Sequence, residues 1–374
     1  MSGEEKVGPV LLVDLARGFG GAEMRVIDTA ILLAESVECS LVALGDSPLH
    51  RRATAAGITV HPLRYQRHDP RMVGAIRDLI RSHRPRVLDA HNVQSQLWGI
   101  YAARVERVPG RVSTVHSEYR FENPGLKGRA HEQVLRRNLA WGSSFVAVSE
   151  GISRYLRSVL GPQPQVELIR RAFPIPPPPA AGAPTFRSDL GWVEGDFVVG
   201  VIGRLAVAKG HQVLFQALSI LREKGVRLRC YIVGDGAERN RLEREVRSSG
   251  LLDSVHFAGF RDDVGSALDF IDLLCVPSRS EGLPNVVLEA VAARVPVVAT
   301  SVGEIPSLLR HGKDALLVPP NDPAALAAAL EHARESPERL SGLADSAYDT
   351  LAKALSGDWI MQTIEHYRRA ERLG

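Results

Sequence analysis

The chain has 374 residues, 45% of them hydrophobic and 24% charged, an ordinary soluble composition with room for two domains. No apolar run approaches the ~20 residues a membrane-spanning helix needs. Cys39, Cys230 and Cys275 are isolated, and the twelve histidines lack HExxH or Cys/His spacing, so neither a disulfide framework nor a metal site is expected. The formal charge of +3 is uneven: residues 1–180 hold 24 Lys+Arg against 17 Asp+Glu, and the remainder 22 against 26. The basic half suits an anionic acceptor or a peripheral membrane contact, the alternative being a solvated basic face. No nucleic-acid partner is expected.

The opening "MSGEEKVGPVLLVDL" begins acidic and runs into a strand, so no signal peptide is expected and the cytoplasm, or the inner membrane face, is the expected location. In chain order, "VGPVLLVDL", "CSLVALG", "PRVLDAH", "RVSTVH" and "SSFVAVS" read as buried strands. Helical patterns such as "AEMRVIDTAILLAES" and "GISRYLRSVL" lie between them, with Ser149 capping the second. The proline run in "RRAFPIPPPPAAGAP" can neither pair in a sheet nor continue a helix, so it reads as a linker. The alternation then restarts with "FVVGVIG", "RLRCYIVG", "SVHFAGF", "LLCVPS", "VPVVAT" and "ALLVPP". The tail "SGDWIMQTIEHYRRAERL" reads as a final helix. The expected architecture is α/β, with two Rossmann-like doubly wound parallel-sheet domains facing a cleft. Its expected parts are 1–172, a linker over 173–190, a second domain over 191–355, and a last helix over 356–374 that crosses back.

Chemistry concentrates at strand-to-helix turns. "LLVDLARGFGGAEMRV" places Gly18, Gly20 and Gly21 where a backbone can approach a phosphate, although the GxGxxG spacing fails. "VVGVIGRLAVAKGHQVLFQAL" carries Gly203 and Arg204 at a strand end and Lys209 at a helix start, where a cation opposes the macrodipole and no side chain caps the helix. A bound anion resolves both oddities, so Arg204 and Lys209 read as a clamp on a diphosphate; solvent-exposed basic residues are the alternative. "YIVGDGAERNRLE" adds Gly234 and Gly236 in a second such turn. His91 and His116 each stand at a strand end, and for each the alternative is a satisfied structural histidine.

"SRSEGLPNVVLEAVAARVPVVAT" holds Glu281 and Glu289 with seven residues between them. Glu289 lies in an otherwise apolar helix expected to be buried, so its carboxylate needs a partner. Glu281 is expected on the preceding loop, with the backbone N–H groups of Gly282, Leu283, Pro284 and Asn285 around the helix start; proline has none to give, but suits the first turn. A purely structural Glu289 and a surface Glu281 are the alternative.

Together "GGAE", "VIGRLAVAKG", "IVGDGAERNRLE", "FAGFRDDV", "PSRSEGLPNVVLEAVAARVPVVAT" and "LLVPPNDPAALA" resemble the retaining glycosyltransferases of family 4, with the GT-B fold. The resemblance implies a hexosyltransferase-type enzyme that moves a sugar from a nucleotide-diphosphate sugar, UDP favoured, to a hydroxyl acceptor without metal or other cofactor. The product would be a cell-envelope polysaccharide, a glycolipid or a natural-product glycoside. By position it implies that Glu281 contacts the donor sugar and Glu289 the ribose, while Arg204 and Lys209 hold the diphosphate. Gly20 and Gly21 would lie near the phosphates, His116 beside the sugar, and the backbone of Phe260 and Arg261 at the base. The Asn-Gly turn common before the linker in that family is missing from "VELIRRAFPIPPP". Rival readings are a nucleotide-sugar epimerase, whose carboxylates cannot be placed, and a glycan phosphorylase, whose cofactor lysine lacks a Gly-rich context. A non-catalytic nucleotide-sugar-binding subunit is a third, and it would be expected to lose the charged residues that this chain keeps.

Overall fold

In the computed structural model the described residues are 7–66, 69–122, 125–162, 165–171, 190–193, 195–261, 264–282, 284–355 and 357–373. Of the expected linker, all but Leu190 lies outside them, as does Leu283. The chain forms two compact units, 1–171 with 358–374, and 172–357.

The first unit is built on a seven-stranded parallel sheet of β1 Val10–Asp14, β2 Cys39–Leu44, β3 Val60–Leu63, β4 Val87–Ala90, β5 Gly110–Val115, β6 Ser144–Ala147 and β7 Val166–Leu168. Their order across the sheet is β3-β2-β1-β4-β5-β6-β7. Every pairing is parallel. The central strands are enclosed along their whole length, as apolar runs covered by helices on both faces must be. β3 and β7, which the apolar pattern did not mark, are the two edges. They are short and only half-buried, and β3 contains Pro62, so neither makes a continuous apolar run.

The final helix Trp359–Leu373 packs on this first sheet rather than on the second. Its Tyr367 hydroxyl donates to Asp89 on β4 at 2.7 Å, and His366 bonds Ser144 on β6 at 2.9 Å. Arg25 of helix Gly21–Ala34 lies over the Trp359 ring, 4.9 Å from its centroid. Ser149 caps Glu150–Leu160 by accepting from the Ile152 N–H.

The second unit holds a six-stranded parallel sheet of β8 Val198–Ile202, β9 Arg229–Val233, β10 Val255–Gly259, β11 Leu273–Val276, β12 Val297–Thr300 and β13 Leu316–Val318. The order is β10-β9-β8-β11-β12-β13. Side-chain alternation divides its core between the two faces. Val199, Val201, Cys230 and Ile232 pack on one side, and Val198, Tyr231 and Val233 on the other. Each sheet reverses direction of growth once, at β1/β4 and at β8/β11. Ligands of open α/β sheets bind outside the carboxyl ends of the strands at such points. Among the described residues no helix is long and apolar enough to cross a membrane.

Candidate functional site

Along the carboxyl edge of the second sheet five loops follow one another. Phe260 and Arg261 leave β10, Gly234 to Gly236 leave β9, Gly203 to Lys209 leave β8, Pro277 to Gly282 leave β11, and Ser301 to Gly303 leave β12. Backbone bonds lock them together. Gly203 N–H donates to Val233 O at 2.9 Å, Leu205 N–H to Asp235 O at 3.0 Å, and Gly234 N–H to Gly259 O at 2.8 Å. Arg279 N–H donates to Ala208 O at 2.8 Å, and Glu304 N–H to Gly282 O at 2.9 Å.

Gly210 and Gly303 are among the glycines that this packing demands. Gly210 has φ +67° and a Cβ there would sit 1.9 Å from Pro277 O. Gly303 has φ +61° and a Cβ would sit 2.2 Å from Glu281 O. Both conformations are unfavourable for other residues, and both close contacts are with backbone. These glycines press the Lys209 turn and the β12 exit against the loop that carries Glu281.

Lys209 and Glu281 meet at this switch point. Lys209 Nζ lies 2.6 Å from Glu281 Oε1, and the Ser278 hydroxyl donates to the same oxygen at 2.6 Å. The Glu281 side chain is 8% exposed and that of Lys209 28%. Ser278 is enclosed, and its carbonyl accepts from the Thr300 hydroxyl at 2.5 Å. Lys209 does not open a helix as expected. It ends a 3₁₀ turn, Val207–Lys209, and helix His211–Glu223 begins only after Gly210, which caps it in the left-handed conformation without a side-chain bond. The left-handed Gly210 turns the chain before the helix starts, and the ammonium reaches across to β11. Arg204 is exposed and has no polar partner among the described residues. Behind the turn, His211 is 2% exposed, and neither ring nitrogen has a hydrogen-bond partner among the described residues. Burial, with Lys209 and Arg241 nearby, lowers its pKa to about 4.

Glu281 lies on a loop as expected, and helix Asn285–Ala292 starts after an extended Pro284. Glu289 departs from expectation, being half-buried rather than enclosed. The helix has only eight residues, and Asn285, Val286 and Glu289 form its one partly open stripe while Val287, Leu288, Ala290 and Val291 fill the core. Phe260 at the outer end of the strip is 57% exposed.

The first sheet presents a second constellation at its own switch point. Gly20 caps helix Gly21–Ala34 in extended conformation with no side-chain bond. A Cβ on Gly20 would come no closer than 3.6 Å to anything, so neither packing nor φ requires glycine there. Opposite, Asn92 at the exit of β4 accepts from Ser95 N–H and donates to Asp14 Oδ1 at 2.6 Å. His91 and His116, read separately in the sequence, are brought together, with His91 Nδ1 3.1 Å from His116 Nε2. His91 is enclosed and His116 partly exposed. Burial lowers the pKa of His91, against an opposing pull from Asp89. Burial, then His91 and Arg25, push that of His116 well below the usual histidine value. Both rings are neutral near pH 7. Asp89, Arg25 and Tyr367 had no local signal in the sequence, because each acts through a partner distant along the chain; Ser278 stands three residues before Glu281, and only the fold of that loop turns its hydroxyl onto the carboxylate.

Comparisons with known proteins accord with this geometry. Residues 19–174 match the family model described as Glycosyltransferase Family 4, and residues 196–335 the model described as Glycosyl transferases group 1. The chain is 29% identical over 313 residues to 2-deoxystreptamine N-acetyl-D-glucosaminyltransferase of Streptomyces fradiae, covering 78% of this chain and 73% of that protein. The chain is a GT-B glycosyltransferase. This glycosyltransferase is also 29% identical over 269 residues to 2-deoxystreptamine glucosyltransferase of Streptomyces kanamyceticus, covering 66% of this chain and 67% of that one. Its fold matches the crystal structure of Anabaena Alr3699/HepE in complex with UDP-glucose at a TM-score of 0.82, with 22% identity over 96% of this chain and 99% of that one. As an enzyme of this kind it uses a nucleotide sugar.

Proposed function

We propose that this glycosyltransferase moves a hexosyl group from a UDP-sugar to a hydroxyl acceptor, with retention at the anomeric carbon. The observation that carries the reading is the Lys209–Glu281–Ser278 cluster at the β8/β11 switch point, with Arg204 on the same β8 loop and without a polar partner among the described residues. Breaking the anomeric bond leaves charge on the diphosphate and makes the sugar oxocarbenium-like. Arg204 and Lys209 stabilise the leaving diphosphate, where fixed cations in a partly dehydrated site need little reorganisation. Glu281, held by Ser278, receives sugar hydroxyls and keeps Lys209 aimed at the loop. Glu289 faces the ribose, and the backbone at Phe260 and Arg261 meets the base. The diphosphate itself takes the acceptor's proton on the face it leaves.

At the switch point of the first unit, His116 takes a hydroxyl of a bound carbohydrate or polyol. The turn at Gly20, where glycine is not a packing requirement, leaves space for ligand oxygens. The acceptor class is a polyhydroxylated molecule, in keeping with the 2-deoxystreptamine transferases it is related to. The test is incubation with a panel of nucleotide sugars and polyol acceptors, with nucleotide release measured and the product's anomeric configuration read by NMR. Inversion refutes the retaining mechanism. Release from guanosine or thymidine donors but not uridine donors refutes the choice of base.

A further inference from the structure

From His116 inward, a line of three titratable groups runs into the core of the first unit. His116 Nε2 lies 3.1 Å from His91 Nδ1, and His91 Nε2, buried with no hydrogen-bond partner among the described residues, lies 3.4 Å from Asp89 Oδ2, an electrostatic contact outside hydrogen-bond geometry. Asp89 and His91 are both enclosed, at 2% and 3% exposure. The Thr114 hydroxyl is 2.9 Å from each Asp89 oxygen, and the Tyr367 hydroxyl donates to Oδ2 at 2.7 Å. Arg25, whose guanidinium donates to Ile169 O at 2.8 Å, adds positive charge near Asp89 and both imidazoles. Asp89 is thus an acceptor toward everything around it.

A neutral imidazole carries one N–H, and its hydrogen bonds decide on which nitrogen. If His91 carried its proton on Nδ1, the lone pair of Nε2 would face the Asp89 carboxylate across 3.4 Å, two negative surfaces in a site without exposure. The proton on Nε2 replaces this repulsion with attraction. His91 Nδ1 is then a lone pair, and the 3.1 Å contact requires His116 to donate from Nε2. The second nitrogen of His116, Nδ1, is left as an acceptor.

We propose that Asp89 and His91 are positioning residues that lock His116 as the Nε2–H tautomer, so that its Nδ1 accepts a hydrogen bond from a substrate hydroxyl. The partly exposed His116 ring therefore takes a ligand group that donates a proton, an alcohol of a sugar or polyol, and discriminates against an ether or carbonyl oxygen in the same place. This deepens the proposed function and rests on it only for His116 meeting substrate; the tautomer assignment stands on the unit's own geometry.

The test is long-range proton–nitrogen NMR on the full chain with labelled histidine, the two rings assigned by substitution at each. Both rings are expected in the Nε2–H form. Asp89→Asn removes the negative charge that holds the proton on His91 Nε2, so the Nδ1–H tautomer of His116 should become populated and kcat should fall about tenfold or more, as with a wrong tautomer in other relays. Tyr367→Phe removes a different hydrogen bond to Asp89 and should leave both tautomers in place. An Nδ1–H or doubly protonated His116 in the unsubstituted protein overturns the proposal even if Asp89→Asn fails to fold. So does a tautomer that Tyr367→Phe disturbs as much as Asp89→Asn. An Nε2–H His116 whose replacement by Ala leaves turnover unchanged upholds the relay and overturns the functional reading of His116 instead.

Discussion

Replacing Lys209 by Met tests whether the ion pair at the second switch point is one energetic unit. Methionine keeps most of the apolar stem and removes the ammonium. Glu281 then keeps only the Ser278 bond at the shared oxygen, in a place where its side chain is 8% exposed. Breaking a fully buried pair by removing one partner costs ~3–5 kcal/mol. Lys209 is 28% exposed, so water replaces part of its contact and the cost should fall to about 1–3 kcal/mol. Glu281→Gln leaves a neutral acceptor for Ser278 and Lys209, and should cost less. The double variant removes both charges, so the two losses should not add. The cycle of urea unfolding energies should yield a coupling of about 1–3 kcal/mol, in the range for contacting residues. Calorimetry on the same four proteins with UDP should show no such recovery, since the double variant regains stability but not the cation. A coupling below ~0.5 kcal/mol, as for independent sites, would refute the reasoning and return Lys209 to a solvated surface cation.

Three further outcomes follow from the same geometry. Arg204→Ala should leave the unfolding midpoint unchanged, because the exposed guanidinium has no polar partner among the described residues, and should lower turnover about 10²–10³-fold, read in a nucleotide-release assay. Glu289→Gln should weaken UDP binding by about 1–3 kcal/mol, while Glu281→Gln should spare the bare nucleotide and slow transfer; equal losses of UDP affinity in calorimetry contradict this division. His211 is held neutral with its pKa lowered to about 4, so the unfolded chain binds a proton that the folded chain refuses between that value and ~6.5. Its contribution to stability is whole above ~6.5, and up to ~3 kcal/mol is lost as pH falls toward 4. His211→Gln should flatten that stretch of the stability profile, and a profile of unchanged slope would count against it.

Much of this protein was written in local pattern. Apolar runs separated by amphipathic stretches marked eleven strands and the final helix, and loops with Gly203, Gly234 and Glu281 stood at strand ends before any contact was known. Strands β3 and β7 escaped because edge strands are short and half-exposed and do not need a continuous apolar run. The pairings that give the sites their character were not legible. Lys209 and Glu281 are 72 residues apart, and Tyr367 and Asp89 are 278 apart. The half-buried state of Glu289 and the short turn that frees Lys209 from its helix also depended on what packs around them. A strand or helix repeats its signal every two or 3.6 residues, so a stretch of chain carries it alone. Which loops meet depends instead on the order in which strands join the sheet. The reversals at β1/β4 and β8/β11 set distant strand ends side by side, and no periodicity in the chain encodes that order.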